Sequence, residues 1–208
     1  MAKGGIFIAG TGTGVGKTYV SAFLLDYFKQ VKKKKVLYYK PIQCGQPTDM
    51  DLMKKLTKLK PKEIHCSYNL KTPSSPHFAF AKEKVKFEKS KIKNFLANAK
   101  KQYDFIVMEE AGGLRVPIAQ NFDMADLAKL SNFKVLLVTL PGLGTINHTL
   151  LSIDYLKSKK IGIIGFVFSP ASFVNELNEE IIMDNAEIIE KISGVPYKGT
   201  ALPIPFIP

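Results

Sequence analysis

The apolar residues of this chain follow two rhythms. Largely apolar runs at positions 6–9, 36–39, 103–108, 134–140 and 161–168 read as strands, the first of them continuously apolar as a strand covered on both faces should be and the last interrupted by Gly162 and Gly165. Elsewhere apolar positions recur at helical spacing. Val20, Phe23, Leu24 and Phe28 form one such set, and Ile92, Phe95 and Leu96 a second. Leu150, Leu151, Ile153 and Leu156 form a third, and Ile181, Ile182, Ile188 and Ile189 a fourth. These predict helices over 17–29 and 91–100, a helix opening near 145, and one over 176–191. Two more helix starts are predicted, after Thr48 and at 121–127. Strand and helix alternate with no internal repeat. The expected fold is therefore α/β, a mostly parallel sheet between helical layers, that is, three-layer α/β/α.

The 208 residues suit one domain spanning 1–208. No run approaches the length of a membrane span, so a membrane is not expected as a partner. Cys44 and Cys66 supply neither a disulfide framework nor a metal cluster, and a reducing cytoplasm fits that usage. The net charge of +12 raises nucleic acid as a partner. Of the 30 basic residues, however, only Arg115 is an arginine, the residue that base-edge and bidentate phosphate recognition recruits. The lysines are read as solvated surface, and nucleic acid is not expected.

Chemistry concentrates where the predicted strands end. The first strand runs into Gly10-Thr11-Gly12-Thr13-Gly14-Val15-Gly16-Lys17-Thr18, and a helical pattern follows. Strand, glycine-rich turn, Gly-Lys-Thr and helix are the order of a phosphate-binding loop. Glycines let backbone N–H groups converge on phosphate, the helix start adds its unpaired donors, Lys17 reaches the terminal phosphates and Thr18 is placed for Mg²⁺. The leading glycine stands six positions before Gly16 rather than five. The second strand delivers Lys40-Pro41, a site candidate because ligands gather at the carboxyl ends of parallel strands. Thr48-Asp49-Met50-Asp51 reads equally as a helix cap or as metal-binding acids. The third run ends in Glu109-Glu110-Ala111-Gly112-Gly113, an acid for Mg²⁺ with room beside the terminal phosphate. Residues 141–148 open another helix whose free N–H groups suit a carboxylate or phosphate. Residues from Pro196 onward hold too many prolines for a helix and are expected to close over the nucleotide region or follow the surface.

Taken together these motifs resemble the dethiobiotin synthetases, ATP-dependent P-loop enzymes. The resemblance runs through the phosphate loop, Tyr39-Lys40-Pro41, and Ser75-Pro76-His77 with Ala79 and Glu83. It continues through Glu109-x-Ala111-Gly112-Gly113, Val116-Pro117 and Leu143-Gly144-x-Ile146-Asn147-His148. It implies a P-loop NTPase-like fold and a homodimer that uses ATP and Mg²⁺ to join CO₂ to 7,8-diaminononanoate through a phosphorylated carbamate. Carried over position by position, it makes Lys17, Lys40 and Thr13 catalytic, and Gly14, Val15, Gly16, Lys17 and Thr18 the phosphate-holding residues. Thr18, Asp49 and Glu109 would hold the metal, with Asp49 preferred over Asp51 because it follows Thr48. Thr13, Lys40 and Cys44 would line the diamine, and Gly144, Thr145, Ile146 and Asn147 would take its carboxylate from the second copy. Ser169 stands where the family often reads adenine with an asparagine, which implies either relaxed base selectivity or reading of the base by backbone groups near Pro196 to Leu202. Other departures are Gly12 and Gly14 in place of acidic residues, Cys44 in place of a hydroxyl, and Glu110 in place of glycine, which is expected to add charge beside the metal. Rival readings are a partition-type ATPase, a cobyrinic acid amidase domain and a nucleic-acid-binding module.

Overall fold

A computed structural model of the chain describes residues 4–169 and 178–200. Its frame is a parallel sheet in the order β3-β2-β4-β1-β7-β8-β9. The strands are β1 (Gly4–Gly10), β2 (Val36–Cys44), β3 (Ile64–Leu70), β4 (Phe105–Glu109), β7 (Lys134–Thr139), β8 (Ile163–Phe168) and β9 (Tyr197–Thr200). A small antiparallel pair, β5 (Pro117–Ala119) and β6 (Phe122–Asp123), lies outside it. From β1 the chain first builds towards β3, returns to insert β4 beside β1, and then extends the other way through β7. The direction of winding therefore reverses around β1, which places the carboxyl end of β1 at the crevice where open α/β sheets bind ligands.

Both faces of the sheet are covered, which explains the apolar runs. Along β1, Phe7 and Ala9 join one buried cluster and Ile6 and Ile8 the other. The Ile6 and Ile8 face packs against Val20, Ala22 and Leu25 of α1 (Lys17–Asp26) and Met53 of α2 (Asp49–Leu56). The Phe7 face carries α3 (Pro76–Lys82), α4 (Lys89–Gln102), α5 (Met124–Ser131), α6 (Thr145–Ser158) and α7 (Glu179–Ser193). The three-layer α/β/α architecture is as the sequence rhythm predicts. Among the described residues no helix is long and apolar enough to cross a membrane.

Several elements differ from expectation. α1 stops at Asp26 and continues as a π-helical turn, Tyr27–Val31, where Phe28 stacks on Phe105 with centroids 3.6 Å apart. The helix expected at 121–127 begins at Met124, with Asp123 as its cap and Asn121 at φ 54 in the preceding turn. Edge strand β3 is missing from the sequence reading because its side chains are mostly half-buried, with only Tyr68 and Leu70 fully enclosed. The segment after Pro196 does not close over the loop within the described residues. Tyr197–Thr200 pairs with β8 instead, and Phe166 donates its N–H to the Pro196 carbonyl at 3.1 Å. Pro170, Glu176 and Leu202 lie outside the described residues.

Candidate functional site

The loop is built by close approach. Gly10 is the last residue of β1, still paired with Val138. A Cβ there would stand 2.7 Å from the Val15 side chain and 3.0 Å from Lys17 Nζ. This accounts for the early glycine: position 10 is needed for clearance under the loop, and the turn proper starts at Thr11. Gly14 (φ 75) and Gly16 (φ 89) take left-handed backbone that other residues adopt at a cost. Gly16 hands over to α1 without a side-chain cap, leaving the first N–H groups of the helix free for a ligand. Val15 is buried beneath the loop and anchors it to the core.

The loop forms one wall of a pocket of about 600 Å³. Thr13, Gly14, Gly16, Lys17 and Thr18 line that side, with Lys40, Cys44, Asp49 and Glu109 opposite and below. A further wall is Pro73–Ser74–Ser75–Pro76, part of the segment that carries the Ser75-Pro76-His77 resemblance. It is tied down where Glu83 Oε1 accepts the Thr72 N–H at 2.7 Å, and it packs so closely on Gly45 that a Cβ there would meet Pro73 at 2.7 Å.

Lys17 Nζ donates to the carbonyls of Gly12 (2.6 Å) and Gly112 (2.7 Å), bridging the loop to the turn after β4. Burial lowers its pKa, and the neighbouring Lys40 adds to that against the pull of the acids. Lys40, only 2% exposed, lies on the pocket floor. Its Nζ is 2.5 Å from Asp49 Oδ2 and 3.1 Å from Glu109 Oε1, and it donates to the Glu110 carbonyl at 2.6 Å. Burial alone would discharge it, but the Glu109 and Asp49 carboxylates outweigh burial and hold its pKa above the ordinary lysine value. Lys40 is therefore a fixed, fully charged cation.

Glu109 is the hinge of the cluster. Its Oε1 accepts from Thr18 (2.9 Å) and its Oε2 from Ser21 (2.7 Å), both on α1. Ser21 was missed by sequence reasoning, although it sits one helical turn beyond Thr18 and so shares its face. Asp49 and Asp51 take different partners. Asp51 serves the cap, with its N–H donating to Thr48 Oγ1 at 3.1 Å and its carboxylate taking the Thr48 hydroxyl and Lys54. Asp49 faces Lys40, and its N–H is capped by Gln43 Oε1 at 3.1 Å.

Glu110 corrects an expectation. It adds no charge on the Glu109 side, because successive side chains leave a strand on opposite faces. Fully buried, it turns under the loop and accepts the Gly10 N–H at 2.6 Å, while its Oε2 has no partner among the described residues. Burial pushes its pKa up to about 7, against the lowering pull of Lys17. Cys44 lines the pocket half-buried, and burial raises its thiol to about 11, so it is not a nucleophile at neutral pH.

The remaining expected residues are not brought to this pocket. Ser169 is buried at the end of β8, its N–H donating to the Thr139 carbonyl at 2.9 Å, and its hydroxyl has no partner among the described residues. Pro196 pairs with β8 before that strand's carboxyl end. Gly144, Thr145, Ile146 and Asn147 open α6 and do not line the pocket of their own chain, with Gly144 and Asn147 exposed and Thr145 buried.

The oxygens of Thr18, Asp49 and Glu109 are hard donors of the kind Mg²⁺ takes; Thr18 donates to Glu109, and both carboxylates meet Lys40 Nζ. Among the described residues no group of three or more His, Cys, Asp or Glu side chains could hold a metal alone. A magnesium ion here would share its coordination with phosphate and water, its usual habit.

Comparison with known proteins adds a lineage to this geometry. A family model described as an AAA domain matches residues 4–205. The chain belongs to the AAA-domain family. Within that family it is a P-loop protein related to the dethiobiotin synthetases. It is 37% identical to the ATP-dependent dethiobiotin synthetase BioD of Methanocaldococcus jannaschii, over 93% of this chain and 92% of that one. It is 35% identical to the protein of the same name from Anoxybacillus flavithermus, over 94% and 90%. A ParA family ATPase from Chlorobium tepidum TLS shares the fold at TM-score 0.61 and 16% identity, over 96% of this chain and 83% of that one. The family and fold imply that the chain binds ATP.

Proposed function

We propose that the chain is an ATP-dependent dethiobiotin synthetase working as a homodimer on 7,8-diaminononanoate and CO₂. The observation that carries the reading is the charged, buried Lys40, held between Glu109 and Asp49 beside the phosphate loop. A fixed cation beside the phosphate loop suits the joining of a carbamate to a phosphoryl group, where negative charge on both partners must be offset. The named relatives support the same reading at whole-chain coverage.

One amine of the substrate adds to CO₂, loses a proton and becomes a carbamate. A carbamate oxygen attacks the γ-phosphorus and ADP departs. The second amine then attacks the carbamate carbon and expels inorganic phosphate as the ring closes. In this reading Lys17 leaves the Gly12 and Gly112 carbonyls for the β- and γ-phosphates, where the loop amides assist it. Lys40 bridges the carbamate and the γ-phosphoryl, withdrawing charge from both while the new bond forms. Thr13 lines the same space at the loop rim. A Mg²⁺ held by Thr18, Asp49 and Glu109 would neutralise phosphate charge. The start of α6, Gly144 to Asn147, reaches the substrate carboxylate of the other copy, which fits its absence from the lining of its own pocket.

The deciding experiment is ADP release by the purified protein with Mg²⁺-ATP and bicarbonate, with and without the diamine, with mass detection of the product. Diamine-dependent ADP release matched by dethiobiotin is expected. ADP release indifferent to the diamine sinks the reading. A second check concerns α6: Asn147→Ala should raise the diamine KM about tenfold, the value of one lost charge-assisted hydrogen bond, and leave the KM for ATP unchanged. Equal rises in both count against the assignment.

A further inference from the structure

Three segments of the proposed site, the phosphate loop, the start of α6 and Ser169, do not share a pocket. They do share a neighbour. Thr139, the last residue of β7, is 1% exposed and follows directly on Val138, whose carbonyl takes the Thr11 N–H at 3.1 Å. Its own carbonyl accepts the Ser169 N–H at 2.9 Å. Its hydroxyl meets three others: Thr11 at 3.3 Å, Thr145 at 3.2 Å and Thr149 at 3.1 Å.

A hydroxyl has one proton to donate and two lone pairs. Thr11 and Thr149 both donate to Thr139 Oγ1, which uses its two acceptor sites. Its single proton is left for Thr145, the first residue of α6. The chain of donors is thus closed at Thr139, with no spare valence. It matters because, among the described residues, no other side-chain hydrogen bond ties the first turn of α6 to the sheet. Gly144, at φ 85, is the cap residue and offers no side-chain cap. The side chains of Thr145 and Thr149, 4% and 0% exposed, point inward and fix the first turn through Thr139.

We propose that Thr139 is a positioning residue that holds the phosphate loop and the first turn of α6 to one buried hydroxyl, so that the ATP site and the carboxylate-binding helix start keep a fixed relation. The α6 half of this inference rests on the function proposed above. In a homodimer whose α6 serves the opposite pocket, Thr139 is where each chain's nucleotide loop is mechanically joined to the element it lends its partner.

Thr139→Val keeps the shape and removes the hydroxyl, and Thr139→Ser keeps the hydroxyl and removes the methyl. The valine protein should bind a non-hydrolysable ATP analogue about tenfold more weakly and show a diamine KM about tenfold higher, since each site loses a buried partner. The serine protein should return both constants to within about threefold of the parent. A valine protein with a lower melting temperature but both constants nearly unchanged overturns the proposal, as does a change confined to one of the two sites. Thr145→Val, which removes only the α6 end of the chain, should raise the diamine KM while leaving analogue affinity intact, and an equal loss of both overturns it too. A parent protein that binds the analogue but never turns over the diamine would refute the proposed substrate instead. In that case the valine protein's analogue affinity, and faster amide exchange in both the 11–16 loop and residues 145–149, decide the matter: both must change for the proposal to stand.

Discussion

Replacing Lys40 by methionine is expected to lower kcat by about two to three orders of magnitude, the usual loss when a preorganised charge is removed from a transition state. The KM for ATP should move far less, because the loop amides, Lys17 and Thr18 remain. Methionine fills most of the buried volume, so the core around β2 is kept. The cost falls on electrostatics: Glu109 and Asp49 lose the cation between them, and Glu109 is 1% exposed. Breaking a buried pair from one side costs about 3–5 kcal/mol. Lower stability is therefore part of the expected result, and Lys40→Met combined with Asp49→Asn should recover some of it without recovering turnover. Steady-state kinetics together with denaturant melts of both proteins separate the two effects. A folded Lys40→Met protein with full diamine-dependent turnover would remove Lys40 from the chemistry.

Much of this centre was legible from sequence because its mechanism demands order along the chain. A strand, a glycine turn, Gly-Lys-Thr and a helix must be contiguous, and so they are from Gly4 to Asp26. Glu109 was legible because it ends an apolar run and a strand, and strand ends meet ligands. Lys40 was singled out by the same rule for a wrong reason: β2 runs on to Cys44, so Lys40 lies mid-strand and reaches the pocket floor from there. What stayed hidden depends on direction rather than order. Asp49 and Asp51 both lie in the first turn of α2, and only the fold shows one turned to Lys40 and the other to its cap. Glu109 and Glu110 are adjacent and identical in type, yet the pleat sends one to α1 and the other beneath Gly10. The edge strands escaped notice because an edge needs no continuous apolar run. Tyr197–Thr200 is polar apart from Tyr197 and still pairs with β8. The pocket wall at 73–76 is fixed by Gly45 and Glu83, neighbours in space that no spacing rule connects.

Glu110→Gln should change the pH dependence of stability more than any other conservative substitution near the loop. The parent carboxyl titrates near pH 7 when folded, against an ordinary glutamate value of 4.5, because burial opposes its charge. Between those two values the folded protein holds a proton that the unfolded chain has released. Stability is therefore lost as pH rises from about 4.5 through about 7, and the loss is complete above that. At about 1.4 kcal/mol per unit the difference amounts to about 3 kcal/mol. Glutamine can still accept the Gly10 N–H and never ionises. The variant should accordingly gain about 2.5 kcal/mol relative to the parent on moving from pH 5 to pH 8, since part of the difference already lies below pH 5, whatever its offset at pH 5. Urea denaturation of the two proteins at both pH values measures this directly, since every other titrating group cancels in the double difference. Parallel pH profiles would mean that Glu110 is already ionised at neutral pH, with Lys17 outweighing its burial. The loop would then rest on a buried ion pair rather than on a neutral acid.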